Sequence, residues 1–218
     1  MTPEQQAIVD QVIAESGRPY VGKTLAILLF DDVEELDAVG PYEVLASWAM
    51  AHPEDGWRVV TTVPVDSSPD VEGVKGLEMT AAKMPEDLGQ LDVLVHPGGI
   101  GTRSLLREEE HLAWVREQAE GGALMTSVCT GSLVYAAAGL LASRPATTHW
   151  ASCDLLARLD PTIKVRREDR FVDDGDVITS AGVSAGIDMA LHLVSRLAGV
   201  ERAREVRRAI QYDPAPPV

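Results

Sequence analysis

Cys129 stands where a nucleophile would stand. The stretch Gly122-Ala123-Leu124-Met125-Thr126-Ser127-Val128 reads as a short buried strand. Cys129-Thr130-Gly131-Ser132 reads as a tight turn of small residues, and Leu133 to Leu141 as an apolar helix. A strand that turns sharply into a helix lifts one side chain to the carboxyl edge of a sheet. It also aims the free N–H groups of the helix at that side chain. Hydrolases hold a serine in such a nucleophile elbow. A thiol there is expected to be drawn toward thiolate by the helix end. The competing reading is an inert core thiol, a common state of free cysteine.

Three further segments carry groups that could work with a thiol. Pro97-Gly98-Gly99-Ile100-Gly101 follows an apolar strand, and the backbone N–H groups of Gly98 and Gly99 are candidates to approach an anion or oxyanion closely; a plain turn is the alternative. The segment is not G-x-G-x-x-G, which argues against a dinucleotide. Asp37, in Glu35-Leu36-Asp37-Ala38-Val39-Gly40-Pro41-Tyr42-Glu43, could shuttle a proton beside a thiol or merely cap a helix. Its acidic neighbours Asp31, Asp32, Glu34, Glu35 and Glu43 read as solvated, and nothing local separates Asp37 from them. His149, in Ala146-Thr147-Thr148-His149-Trp150, is a candidate base or a structural histidine. The other histidines are scattered without metal-ligand spacing, and Cys153 reads as a packed thiol on a short helix.

The elements that must position these residues alternate between apolar strands and helices. Strands are read over 24–30, 57–65, 91–96 and 122–128, with weaker ones near 163–167 and 176–180. Helices are read over 3–16, 36–50, 102–120, 133–141, 151–159, 185–197 and 201–208. Thr24 to Phe30 is almost wholly apolar, as in a parallel strand covered on both faces. The pattern implies a three-layer α/β sandwich with a mostly parallel sheet, whose ligands bind beyond the carboxyl ends of the strands. The strand exits at 31–37, 97–101 and 129–131 should meet there.

The chain has 218 residues, enough for one domain with a substantial core. We divide it into an N-terminal extension helix, residues 1–20, and a single domain, 21–218. No apolar run approaches a membrane span, and residues 1–20 do not resemble a signal peptide. Two cysteines offer no disulfide framework, so a reduced, cytoplasmic setting is expected. The net charge of -15 argues against nucleic acid and anionic membranes as partners.

Taken together, these segments resemble the DJ-1/PfpI superfamily over about residues 24–212. The carriers are Leu36 to Leu45, His96-Pro97-Gly98-Gly99 and Thr126 to Ser132. The isocyanide (isonitrile) hydratase branch is the most similar, through Ser127 to Leu133, Ala146 to Trp150, Ala185 to Asp188 and Tyr212 to Pro217. The resemblance implies a flavodoxin-like, class I glutamine amidotransferase-like fold and a homodimer. It implies that Cys129 is the nucleophile, that Asp37 stands where most relatives carry glutamate, and that Thr130 follows the cysteine as in the hydratases. PfpI-like proteases carry a histidine at that position, which speaks against proteolysis. His149 matches a histidine near the cysteine of some DJ-1 relatives. The implied activity is a cofactor-independent lyase reaction, isocyanide plus water to N-formamide, through a thioimidate on Cys129. A redox sensor using the same thiol, or glyoxalase- or deglycase-like work on 2-oxoaldehydes, are the alternatives. No metal or organic cofactor is expected, and the substrate is a small molecule.

Overall fold

The computed structural model describes residues 2, 5–6 and 22–213. The helix read over 3–16 therefore lies outside the described residues, apart from 5 and 6, as does the tail after Asp213. Six strands form the central sheet in the order β2-β1-β5-β6-β10-β9. They are β1 (Lys23–Leu28), β2 (Trp57–Thr62), β5 (Val93–His96), β6 (Leu124–Val128), β9 (Phe171–Asp173) and β10 (Val177–Ser180). All pair in parallel except β9, which runs antiparallel along β10 at the edge. β1, β5 and β6 are buried almost throughout, because helices cover both faces of the sheet.

The helices are α1 (Glu35–Ala51), α2 (Thr102–Leu105), α3 (Glu109–Glu120), α4 (Gly131–Ala137), α5 (Cys153–Leu159), α6 (Ala185–Ala198) and α7 (Val200–Ala209). The single helix read over 102–120 is two. The break falls at Leu106 to Glu108, and α3 opens with Glu109 and Glu110 in its first turn. Carboxylates are favourable at a helix N-terminus and unfavourable side by side in a helix middle, so the glutamate run starts a helix. Four short strands, β9 among them, went unread. β3 (Asp70–Glu72) and β4 (Glu78–Thr80) form a hairpin around Gly73 to Leu77, and β7 (Pro145–Ala146) pairs with β8 (Lys164–Val165). Strands of two or three residues show too few alternations to register as a period.

The register brings three strand exits together. Leu25 pairs with Val93, and His96 pairs with Ser127, so the segments after β1, β5 and β6 leave the sheet on the same edge. Val33 bridges Gly99, tying the first exit to the second. No helix among the described residues is long and apolar enough to cross a membrane.

Candidate active site

β6 ends at Val128 and α4 begins at Gly131, so Cys129 and Thr130 make the turn between them. Cys129 adopts φ 57°, in the left-handed region, which costs an L-residue about 1–2 kcal/mol. Hydrogen bonds hold it there. The Cys129 N–H donates to the carbonyls of Ser180 and Ala181, 3.1 Å each. The Cys129 carbonyl accepts from Thr148 Oγ1 at 2.9 Å and from Ser132 Oγ at 3.2 Å. Tyr135, one turn into α4, donates its buried hydroxyl to the Thr126 carbonyl at 2.8 Å and fastens the helix back onto the strand. Cys129 is 6% exposed.

Asp37 comes from the first turn of α1 and is fully buried. Its Oδ2 accepts from the Gly98 N–H at 3.0 Å and its Oδ1 from the Val183 N–H at 3.1 Å. The Cys129 thiol lies within hydrogen-bonding reach of the same carboxyl. Each oxygen thus has a backbone donor. Val183 is itself strained, at φ 54°. That is an outlier for a β-branched residue and costs about 1–3 kcal/mol. In this conformation its N–H donates to Asp37 Oδ1. Nothing in Ala181-Gly182-Val183-Ser184 announced a functional backbone group, because a β-branched residue is the last type expected at positive φ.

Gly98 and Gly99 lie where the sequence placed them, but their amides are already engaged. Gly98 N–H serves Asp37, and Gly99 N–H donates to Thr130 Oγ1 at 2.9 Å. In this geometry they orient the acid and the hydroxyl instead of waiting for an oxyanion. Gly98 has a second duty. A Cβ there would lie 2.4 Å from the Thr130 nitrogen and 2.8 Å from Cys129 Cβ, so only glycine lets the two loops meet. Thr130 Oγ1 also receives a bond from Thr102 Oγ1 at 3.2 Å, which brings in the start of α2. The Thr130 N–H and hydroxyl both lie within hydrogen-bonding reach of the Cys129 sulfur.

The electrostatics correct one expectation. The thiol is not drawn toward thiolate. Burial first, then the negative charge of Asp37, push Cys129 up to about 12; the Thr130 N–H and hydroxyl act in the opposite direction and lose. α4 is only seven residues long, so its end has little field to set against burial. Asp37 is raised in turn to about 7, with burial the largest cause and the Gly98 and Val183 donors opposing it. At neutral pH the pair is a protonated thiol beside a carboxyl balanced between its two forms. Such a pair suits proton transfer coupled to attack.

His149 does not join this pair. Its Nδ1 accepts from the Ala151 N–H at 3.3 Å, capping the single 3-10 turn Trp150–Ser152. Its ring packs against Gly182, where a Cβ would come within 2.2 Å of His149 Cδ2. It thus supports the backbone next to Val183. Cys153 is buried on α5, with the His149 carbonyl 3.8 Å from its sulfur. Glu34 and Glu35, read as solvated, are instead mostly covered and pair with Lys75 at the tip of the β3–β4 hairpin. Among the described residues, no group of three or more His, Cys, Asp or Glu side chains could hold a metal ion.

Comparison with known proteins agrees with this architecture. The family model described as DJ-1/PfpI family matches residues 23–196. Isonitrile hydratase of Pseudomonas putida is 45% identical over 193 residues, which cover 88% of this chain and 80% of that protein. A THiJ/PfpI family protein from Pseudomonas syringae superposes with a TM-score of 0.80 at 31% identity, covering 94% of this chain and 81% of that one. Drosophila melanogaster DJ-1beta superposes with a TM-score of 0.77 at 21% identity over 88% of this chain and all of that one, a likeness of fold.

Proposed function

The chain belongs to the DJ-1/PfpI family, and we propose that it is an isocyanide hydratase-type lyase in which Cys129 and Asp37 add water across an isocyanide to give an N-formamide. The observation that carries this reading is the Cys129–Asp37 contact, with the carboxyl raised to about 7 and both its oxygens held by backbone N–H groups. The 45% identity to the Pseudomonas putida isonitrile hydratase supports the substrate class.

The steps follow from the protonation states. The isocyanide R–N≡C presents its terminal carbon to the Cys129 sulfur. Asp37 takes the thiol proton as the S–C bond forms and delivers it to that same carbon. The product is a thioimidate, R–N=CH–S–Cys129. Asp37, again a carboxylate, removes a proton from water as the water oxygen bonds to the carbon, and the nitrogen receives that proton. Collapse of R–NH–CH(OH)–S–Cys129 breaks the C–S bond, and the hydroxyl proton returns to sulfur through Asp37. R–NH–CHO leaves and the thiol is restored. One carboxyl acts first as base and acid on the thiol proton, then as base on water, and no histidine is needed. Thr130 supports the sulfur through its N–H and hydroxyl as the C–S bond breaks.

The protonated, buried thiol favours this chemistry over a redox sensor. Oxidation by peroxide needs an accessible thiolate, and burial and Asp37 oppose one here. A homodimer is part of the reading. Leu36, Val39 and Tyr42 are exposed on α1, the helix that carries Asp37, and offer an apolar face to a second copy; sedimentation at micromolar concentration tests it. The function is tested by incubating purified protein with an aliphatic isocyanide, methylglyoxal and a small amide in parallel. N-formamide from the isocyanide alone is the expected result. Turnover of methylglyoxal without formamide would replace this reading with the 2-oxoaldehyde one.

A further inference from the structure

Two sequence motifs have no part in the chemistry above: the helix start Ala185-Gly186-Ile187-Asp188, and Tyr212 near the end of the chain. The structure joins them. Tyr212 donates its hydroxyl to Asp188 Oδ1 at 2.9 Å, and Arg170 Nε donates to Asp188 Oδ2 at 2.6 Å. Asp188 lies in the first turn of α6, five residues beyond Val183. Arg170 also grips the segment on both sides of Val183. Its carbonyl accepts from the Ala181 N–H at 2.9 Å, and its Nη2 donates to Ser184 Oγ at 3.3 Å. Tyr212 is itself anchored to the end of α7. Its N–H donates to the Arg207 carbonyl and its carbonyl accepts from Arg207 Nε, 3.0 Å each.

We propose that Arg170, Asp188 and Tyr212 form a brace across the start of α6 that holds the Val183 N–H on the catalytic carboxyl of Asp37. They are positioning residues, acting through the backbone. Val183 is in a conformation that a valine leaves when it is free to, so something must hold the residues on either side of it. The brace does so from 181, 184 and 188. All three of its side-chain bonds are charge-assisted, the class that resists such a pull best. The brace connects the C-terminal segment to the acid–base group, so substitutions remote from the thiol would act on Asp37 ionisation.

The inference rests on the Cys129–Asp37 pairing of the proposed function but not on the substrate. The titratable and charged groups around Asp37 are Cys129 from the elbow and Glu34, paired with Lys75, from the loop before α1. His149 lies behind Gly182. None of these belongs to the brace. Losing the Val183 donor removes one of two backbone bonds that favour the carboxylate, so Asp37 ionisation should move to higher pH.

The test uses full-length protein carrying Cys153→Ala, so that Cys129 alone is alkylated. The rate of alkylation by iodoacetamide is measured from pH 5 to 9, and the limb due to Asp37 is identified by its loss in Asp37→Asn. Tyr212→Phe and Asp188→Asn should raise the midpoint of that limb by about one pH unit, roughly a tenfold slower reaction below it. Tyr212→Phe removes one hydroxyl from a half-buried ring, so it should fold even if Asp188→Asn does not. A lower melting temperature with an unmoved midpoint would assign the three residues to stability alone and overturn the proposal. So would a limb that survives Asp37→Asn. No isocyanide is present, so a protein that failed to hydrate isocyanides would still give the shift.

Discussion

Replacing Asp37 by asparagine should make the chain more acid-sensitive, although it removes an acid. Three buried groups set the expectation. His96 closes β5 with its Nδ1 2.8 Å from the Pro97 carbonyl, so that nitrogen carries the hydrogen. Its Nε2 must then accept, and the Nε2 of His111, 3.1 Å away, must donate. His111 Nδ1 is left as a lone pair without a donor among the described residues. Both rings are neutral. Burial lowers His96 to about 4, and burial with the neighbouring His96 lowers His111 to about 3. Between about pH 4 and 6.5 the unfolded chain protonates both and the folded chain neither, so each loses stability as pH falls through this window. Asp37 works in reverse. Raised to about 7 from 3.8, it is protonated in the folded chain and ionised in the unfolded one, so its stability is present at low pH and lost as pH rises. Two protons against one leaves a net difference of one. Each proton is worth about a tenfold change in the folding constant per pH unit. Urea unfolding at fixed protein concentration, from pH 6 down to 5, should lower that constant about tenfold in the native sequence and about a hundredfold in Asp37→Asn. Equal slopes in the two proteins would refute the raised ionisation of Asp37, and with it the acid–base role.

Other substitutions probe the site piece by piece. Gly98→Ala forces a methyl to within 2.4 Å of the Thr130 backbone nitrogen and should cut turnover by on the order of a hundredfold, measured as kcat, because the elbow must shift. Thr130→Ser keeps the acceptor for the Gly99 N–H and should stay within a few-fold of native kcat/KM, whereas Thr130→Val strands that N–H at a cost on the order of 1–3 kcal/mol by denaturant unfolding. Cys129→Ala should abolish turnover and Cys153→Ala should not. Cys129→Gly, also inactive, should be more stable than Cys129→Ala by about 1 kcal/mol, because glycine accepts φ 57° without strain.

The parts of the site that are side chains on regular elements were legible in the sequence. The apolar strand, small-residue turn and apolar helix around Cys129 are local signals, and the fold places them as read. Asp37 had no local mark among five acidic neighbours and came from family resemblance alone. Its distinction is that α1 buries it while Glu34 and Glu35 remain beside Lys75. Backbone roles were not legible. The Val183 N–H and the engagement of the Gly98 and Gly99 amides depend on dihedral angles that tertiary contacts impose. The thiol's resistance to ionisation was hidden for the same reason, since burial and the approach of Asp37 outweigh the helix end only once the loops are assembled. β9 and the β3–β4 hairpin escaped because edge and surface strands of three residues carry almost no periodic signal.

The central claim is that Cys129 bonds to the isocyanide carbon with Asp37 moving the proton. Rapid mixing with an aliphatic isocyanide, acid quench within the first turnover and intact-mass analysis reads that bond directly. The native protein should gain the mass of one isocyanide on Cys129, and the gain should decay as N-formamide appears. Asp37→Asn should form adduct and formamide about 10²–10⁴-fold more slowly, and Cys129→Ala neither. Formamide production at native rate by Asp37→Asn, or turnover in the native protein without any adduct on Cys129, would contradict it.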